Sequence, residues 1–279
     1  MRLQFTLTSA EGKRMIAKGV SSLDRVQKTL EKGKIILKGG TTVSAVSEEL
    51  CGEPMSISGR ITPSGTKSTR LPPSLPDEPH ALLLEKGKIA NIDNRWEEAM
   101  SGLKAGDCLI TGANIFDIHG NAALMAGTMF GGRTGPWIQN AWIDGIHVII
   151  AVGLEKLIPG SVKEVIKTAG RKRVDKSYGM AVGFMPVFGE IFTEFDAIKA
   201  LALVECHVIG KGGIFGAEGS TTLIVDGSDD EVLKIDTIYQ NIHGSTVSGT
   251  IESLKECEMG VPSCKKHLTC VYKSGFQFD

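Results

Sequence analysis

The apolar run GIHVIIAVG at positions 145–153 constrains the fold more than any other segment of this chain. Its hydrophobic residues are continuous rather than alternating, as expected for a parallel strand that is covered on both faces. A helical pattern at 161–172 follows it, and the apolar run CLIT at 108–111 precedes it. This alternation of strands and helices continues back to the N-terminal region, and it predicts an α/β fold built on a mainly parallel sheet.

The order of predicted elements changes after about residue 180. From there the patterns run strand, helix, two strands, helix and strand, which is the βαββαβ order of a ferredoxin-like unit. We therefore predict a Rossmann-like α/β domain at 1–180, with helices flanking its sheet, and a smaller ferredoxin-like α+β domain at 181–250. Residues 251–279 form a cysteine-containing tail. In the second domain we expect a four-stranded antiparallel sheet with two helices on one face.

Composition excludes several classes of partner. The 279 residues contain 31 basic and 32 acidic side chains, so no bulk field favours nucleic acid or an anionic membrane surface. No apolar run approaches the roughly 20 residues that cross a bilayer, and no signal-peptide pattern begins the chain. The six cysteines are too dilute for a disulfide scaffold. We expect a cytoplasmic protein without a cofactor, and the sequence leaves homo-oligomerisation open.

The first candidate site is a glycine turn between a strand and a helix. The apolar run IILKGG at 35–40 stops at two glycines, and the helical pattern TTVSAVSEELCG follows at 41–52. Backbone N–H groups and hydroxyls at a helix N-terminus suit a phosphate or a carboxylate. An ordinary tight turn that needs glycine is the alternative. The groups that we predict to bind the substrate here are Gly39, Gly40, Thr41 and Thr42.

The second candidate site follows the CLIT strand, before a predicted helix, AALMAGTMF, at 122–130. Asp117 is the candidate general base, although a carboxylate here also suits a helix cap. His119 is the candidate proton shuttle, or else a hydrogen-bonding loop residue. The groups that we predict to bind the substrate from this loop are Gly112, Asn114, Gly120 and Asn121.

Cations are expected to complete the site. Gly132 and Arg133 belong to a glycine loop, where little except a ligand or a carboxylate would hold the arginine. Lys156 follows the buried strand by one turn and is placed to pair with an anion. Solvent exposure is the alternative for both cations. Glu155 could supply a nucleophilic carboxylate, but the residues around it show no recognisable motif of enzymes that use one.

Four potential metal ligands lie close together in the tail. They are Cys257, Cys264, His267 and Cys270. Soft ligands of this kind could hold zinc or an iron–sulfur cluster. Their spacing matches no standard site, however, so we predict no metal.

Three segments together resemble the superfamily of ribose-5-phosphate isomerase, glucosamine-6-phosphate deaminase and the CoA transferases. KGGTT at 38–42 looks like the first phosphate-holding turn of that family, and GANIFD at 112–117 is similar to the Gly-Ala-Asp motif of the isomerases. The stretch at 119–128 keeps the Asn-Gly to Gly-Thr spacing of methylthioribose-phosphate isomerases and initiation-factor-2B-like proteins. VIIAVGLEKLIP at 148–159 resembles the strand and lysine turn of lactate-utilisation (LUD) domains.

The resemblance implies an enzyme that acts on a small phosphorylated or carboxylated metabolite by isomerase- or transferase-type proton chemistry. The substrate would lie across the strand-end loops. One alternative is a non-catalytic ligand-binding or regulatory protein on the same scaffold, which Asn114 favours because the isomerases have aspartate at this position. A second alternative is a LUD-like accessory subunit of redox metabolism.

Overall fold

A computed structural model describes residues 1–68, 78–132, 135–257, 264 and 267–273. These residues form four sheets. The strands, in chain order, are β1 (Arg2–Leu7), β2 (Lys34–Lys38), β3 (Gly59–Thr62), β4 (Gly65–Ser68), β5 (Ala81–Glu85), β6 (Lys88–Asn91), β7 (Cys108–Thr111), β8 (Ile115–Phe116), β9 (Ala122–Ala126), β10 (His147–Ala151), β11 (Gly183–Val187), β12 (Glu190–Phe192), β13 (Glu205–Gly212) and β14 (Ser220–Asp226).

The helices are distributed between the strands along the whole chain. They are α1 (Ser9–Ser22), α2 (Asp24–Lys32), α3 (Thr41–Cys51), α4 (Trp96–Ser101), α5 (Gly135–Ile143), α6 (Val162–Thr168), α7 (Glu194–Leu201), α8 (Asp229–Ile242) and α9 (Ile251–Leu254). Among the described residues, no helix is both long and apolar enough to cross a bilayer.

The central sheet has six strands in the order β12-β10-β7-β2-β5-β6. The first four are parallel to one another, and β5 and β6 extend the sheet as an antiparallel hairpin. The expected mixed α/β fold with a mostly parallel sheet flanked by helices is therefore confirmed. The buried run at 145–153 and the CLIT strand lie side by side in it, with Ile149 opposite Ile110.

Successive residues of the central strands pack into different cores because side chains alternate across a sheet. Ile35 and Leu37 of β2 enter one core, whereas Ile36 enters the other. In β10, Ile149 and Ile150 separate in the same way. This two-sided burial explains why the strands have continuous apolar sequences.

Helix α1 lies on one face of the central sheet and contacts both α3 and α7. Gly19 permits the close approach of α7, since a β-carbon there would lie 2.6 Å from the Cα of Ala197. The same core continues into a three-stranded antiparallel sheet in the order β1-β14-β13, through side chains such as Phe5 and Leu223.

The prediction of a four-stranded ferredoxin-like sheet within 181–250 is wrong. β13 and β14 are neighbours, as expected, but their third partner is β1 from the N-terminus. β12 joins the central parallel sheet beside β10, and β11 pairs with β9. The first strand of that predicted order is thus divided between two sheets, as β11 and β12.

Two other predicted elements differ. AALMAGTMF at 122–130 is not a helix, because residues 122–126 form β9, the middle strand of the sheet β11-β9-β8. Small residues such as Ala122 and Ala123 are buried between the two partner strands. The last strand of the predicted βαββαβ order is also absent from the described residues 245–250, which form a loop that leads to α9.

Candidate functional site

A cleft of about 840 Å³ lies at the carboxyl ends of the parallel strands. Its walls include the turns that follow β2, β7 and β10. The β3–β4 hairpin borders it and is held by a hydrogen bond from the Thr62 hydroxyl to Glu256, 2.7 Å long, and by another from Arg60 to the carbonyl of Lys255. Ligands bind at this edge of open α/β sheets.

Six of the predicted site residues in the turns after β2 and β7 line this cleft: Gly39, Gly40, Thr41, Thr42, Gly112 and Asn114. Lys156 lines it as well. The turns after β2, β7 and β10 therefore meet at this cleft. The role of these residues as ligands stays a prediction.

The N-terminus of α3 opens onto the cleft without a capping side chain. Gly40 is its N-cap residue, and its lack of a side chain leaves the first turn of the helix unshielded. Thr42 is buried, and its hydroxyl has no hydrogen-bond partner in the described structure. Helix N-termini attract anions through free N–H groups and the helix dipole. Gly39 positions this turn, because its N–H donates to the carbonyl of His80 over 2.8 Å and a β-carbon would collide with that oxygen.

Three lysines line the cleft, and they differ in their partners. Lys13 lies 3.4 Å from Oε1 of Glu155, and both side chains are largely buried. Burial lowers the pKa of Lys156 and Lys13 lowers it further, whereas Glu155 and Glu194 act in the opposite direction. Burial lowers the pKa of Lys38 to about 8.

Glu155 and Glu256 are the carboxylates that line the cleft, and Glu155 follows the buried strand β10. Neither of its buried oxygens accepts a hydrogen bond from a described residue. Behind it, Glu194 accepts the N–H of Leu154 over 2.8 Å. Burial, together with the nearby Glu155, raises the pKa of Glu194 to about 7. The pair thus combines one carboxylate on the cleft with a second one that binds a proton readily.

Asn114 lies on the cleft, but its side chain has a structural partner. Its Oδ1 accepts the N–H of Met125 over 2.8 Å, and its own N–H donates to the carbonyl of Ala123. The amide therefore holds the start of the β-hairpin that contains β9. An aspartate carboxylate would be required for the isomerase-type base at this position, and the amide cannot serve in that way.

Asp117 and His119 lie outside the cleft lining. Asp117 is buried and accepts hydrogen bonds from the N–H groups of His119, Asn121 and Val162 and from the Asn121 amide, at 2.9–3.0 Å. Burial would raise the pKa of this carboxyl, but these hydrogen bonds outweigh burial and lower it. Asp117 therefore holds the 117–121 turn and the first residue of α6, which favours a structural role over that of a catalytic base.

The remaining predicted site residues of this loop are also away from the cleft wall. His119 and Gly120 are exposed, and the side-chain amide of Asn121 donates a hydrogen bond to Asp117. Gly120 has a positive φ of 80°, so the glycine serves the turn. Gly132 is exposed at the end of a short helical turn, and Arg133 lies outside the described residues.

The tail cysteines are free thiols. Cys264, His267 and Cys270 are buried, and the His267 N–H donates to the carbonyl of Cys264. Among the described residues, no group of three or more His, Cys, Asp and Glu side chains could hold a metal ion. Much of 258–266 lies outside that description.

Sequence reasoning did not assign Lys13, Lys38 and Glu194 to the site. Lys38 could have been found, because it is the last residue of the strand that leads into the glycine turn. Lys13 and Glu194 belong to helices whose patterns give no sign of the cleft, and only the fold brings them beside Glu155. No protein-family model, curated protein or solved structure matches this chain.

Proposed function

We propose that this protein is an enzyme that acts on a small phosphorylated or carboxylated metabolite by isomerase- or transferase-type proton chemistry. The observation that carries the proposal is the uncapped N-terminus of α3, with the unpartnered hydroxyl of Thr42, on the same cleft as Glu155. We further propose that the scaffold is Rossmann-like and related to the isomerase and CoA-transferase superfamily.

The anion would bind at the first turn of α3. Its oxygens would accept the free backbone N–H groups and the Thr42 hydroxyl, which otherwise loses hydrogen bonds to water without replacement. Lys156, which lines the same cleft, would contribute a positive charge. A charge-assisted hydrogen bond of this kind contributes roughly 1.5–3 kcal/mol.

Glu155 replaces Asp117 as the proposed base. Its carboxylate lines the cleft, accepts no hydrogen bond from a described residue and lies 3.4 Å from the Lys13 amine. It would remove a proton from carbon while the anion is held at α3. A non-catalytic binding protein is the second candidate. Asn114 favours it, because this position holds an amide instead of a carboxylate and its Oδ1 accepts the N–H of Met125.

Substitution of Thr42 tests the anion site. Thr42→Val keeps the shape of the side chain but removes the hydroxyl. Because that hydroxyl has no partner, the variant is expected to match or exceed the wild type in stability, yet to bind inorganic phosphate about tenfold more weakly. Thr237→Val on the exposed face of α8 is the control. Binding is read by calorimetry and by the rise in Tm with phosphate, since a ligand of the native state stabilises it.

Solvent exchange separates the enzyme from the binding protein. The protein is incubated in D₂O with a panel of sugar phosphates, 2-oxo acids and CoA esters. Deuterium that enters the carbon beside a carbonyl in the wild type, but not in Glu155→Gln, supports the enzyme. Phosphate binding without exchange in any member of the panel supports the non-catalytic alternative. Unchanged phosphate affinity in Thr42→Val overturns the site itself.

A further inference from the structure

Lys38 differs from Lys13 and Lys156, the other two lysines that line the cleft, because no acidic side chain among the described residues acts on its amine. It makes no hydrogen bond or ion pair with any described residue, and burial is the sole cause of its lowered pKa. By contrast, Lys13 pairs with Glu155, and the charges of Glu155 and Glu194 act on Lys156.

The fold places this amine next to the proposed anion site. Lys38 is the last residue of β2, and Gly39 and Gly40 alone separate it from α3. The amine and the uncapped helix N-terminus open onto the same cleft. A short ligand whose anion is bound at α3 would therefore have its neighbouring carbons within reach of the strand-end lysine.

We propose that Lys38 forms an imine with the carbonyl carbon of an aldehyde or ketone whose phosphate or carboxylate is bound at the N-terminus of α3. This inference rests on the proposed function, since it names the class of substrate for the same cleft. It adds a covalent step and a residue that the sequence did not assign.

The step balances without an external oxidant or reductant. The nitrogen lone pair of the neutral Lys38 amine adds to the carbonyl carbon, and the carbonyl oxygen becomes a hydroxyl group. That oxygen leaves as water with the two protons of the amine, and a C=N bond replaces the C=O bond. Protonation of the imine nitrogen makes the adjacent C–H more acidic, so that a carboxylate such as Glu155 can remove its proton.

The neutral amine is the nucleophile, and its environment makes it available near neutral pH. Burial without a compensating charge disfavours the ammonium form. With a pKa of about 8, about half of the Lys38 side chains are neutral at pH 8. An exposed lysine with an ordinary pKa near 10.4 is almost entirely protonated there.

Reductive trapping tests the proposal on the intact protein. The protein is incubated with glycolaldehyde phosphate and sodium cyanoborohydride, and the modified lysines are identified by peptide mass spectrometry. We expect labelling of Lys38 at least tenfold faster than that of Lys34, which lies at the other end of β2 and donates to the carbonyl of Gly102. Inorganic phosphate should suppress labelling of Lys38, and glycolaldehyde without phosphate should label it more slowly.

Variants provide a second measurement. Lys38→Arg and Lys38→Met should lose the fast labelling, whereas Lys34→Arg should retain it at Lys38. Labelling of Lys38 no faster than that of Lys34 in the wild type overturns the imine, and it leaves the anion site intact if phosphate still binds. Fast labelling that phosphate does not suppress supports the reactive amine but contradicts the proposed function, so the two failures are distinguishable.

Discussion

A β-carbon on Gly153 would lie 1.8 Å from Oε2 of Glu155, so the carboxylate occupies the space that any side chain at position 153 would need. The backbone at Gly153 has φ −74° and ψ 149°, a conformation that all residues adopt. The glycine is therefore required for the placement of Glu155 rather than for the path of the chain.

Replacement of Gly153 by alanine is expected to displace the Glu155 carboxylate without changing its charge. The colliding atom is at the end of a flexible side chain, so unfolding free energy should change by no more than about 1 kcal/mol. Solvent exchange into the substrate should nevertheless fall at least tenfold. Gly160→Ala is the matched control, because a β-carbon at Gly160 meets no atom within 4 Å. Equal exchange in the two variants would contradict the role of Glu155.

Removing the cation of the Lys13–Glu155 pair should lower the free energy of unfolding far more than removing the cation of a surface pair on the same helix. Lys13→Met leaves Glu155 buried without its cation, which typically costs about 3–5 kcal/mol. Lys18→Met breaks the more exposed pair with Glu49, which is worth about 0–1 kcal/mol. Urea unfolding measures both. The double variant Lys13→Met/Glu155→Gln should recover stability, and equal losses in the two single variants would show that the buried pair contributes little.

The central sheet and the first anion turn could be predicted because local patterns specify them. The apolar residues of β2, β7 and β10 are continuous, and Gly39 and Gly40 mark the end of β2. Strand β9 could not be recognised in the same way. Its sequence, AALMA, has no β-branched residue and suits a helix by propensity, but pairing with β8 and β11 determines its structure.

Long-range pairing explains the other differences. β1 pairs with β14 across more than 200 positions, with Phe5 opposite Leu223, and no local pattern encodes that partner. Two charged residues at the cleft could not be recognised from the sequence for a related reason. Lys13 and Glu194 read as polar positions at the starts of helices, yet the packing of α1 against α7 buries both beside the turn after β10.

Glu194 should make the protein less stable as the pH rises through the range from about 4.5 to 7. Its carboxyl has a pKa of about 7 in the folded chain, above the ordinary value of 4.5, so the native state binds more protons than the unfolded state in this window. Unfolding free energy should therefore fall by about 3 kcal/mol across it. Glu194→Gln should remove most of that dependence, whereas Glu205→Gln, on the exposed part of β13, should retain it. Urea titrations from pH 4 to pH 8 measure the effect, and identical slopes in wild type and Glu194→Gln would contradict it.

Asp117 should stabilise the fold rather than take part in the chemistry. Asp117→Ala leaves the N–H groups of Asn121 and Val162 without their acceptor, and an unsatisfied buried group costs about 1–3 kcal/mol. Because the folded pKa of Asp117 is lowered, its contribution is present above the unfolded pKa near 3.8 and is lost as the pH falls through the folded value. The free energy of unfolding of the variant should be several kcal/mol lower at pH 7 and should depend less on pH in the acid range. Its phosphate affinity should stay at the wild-type level under conditions where the variant is folded. His119→Ala, at an exposed position, should change neither property. An Asp117→Ala protein with full stability and no solvent exchange would instead restore the aspartate as a catalytic residue.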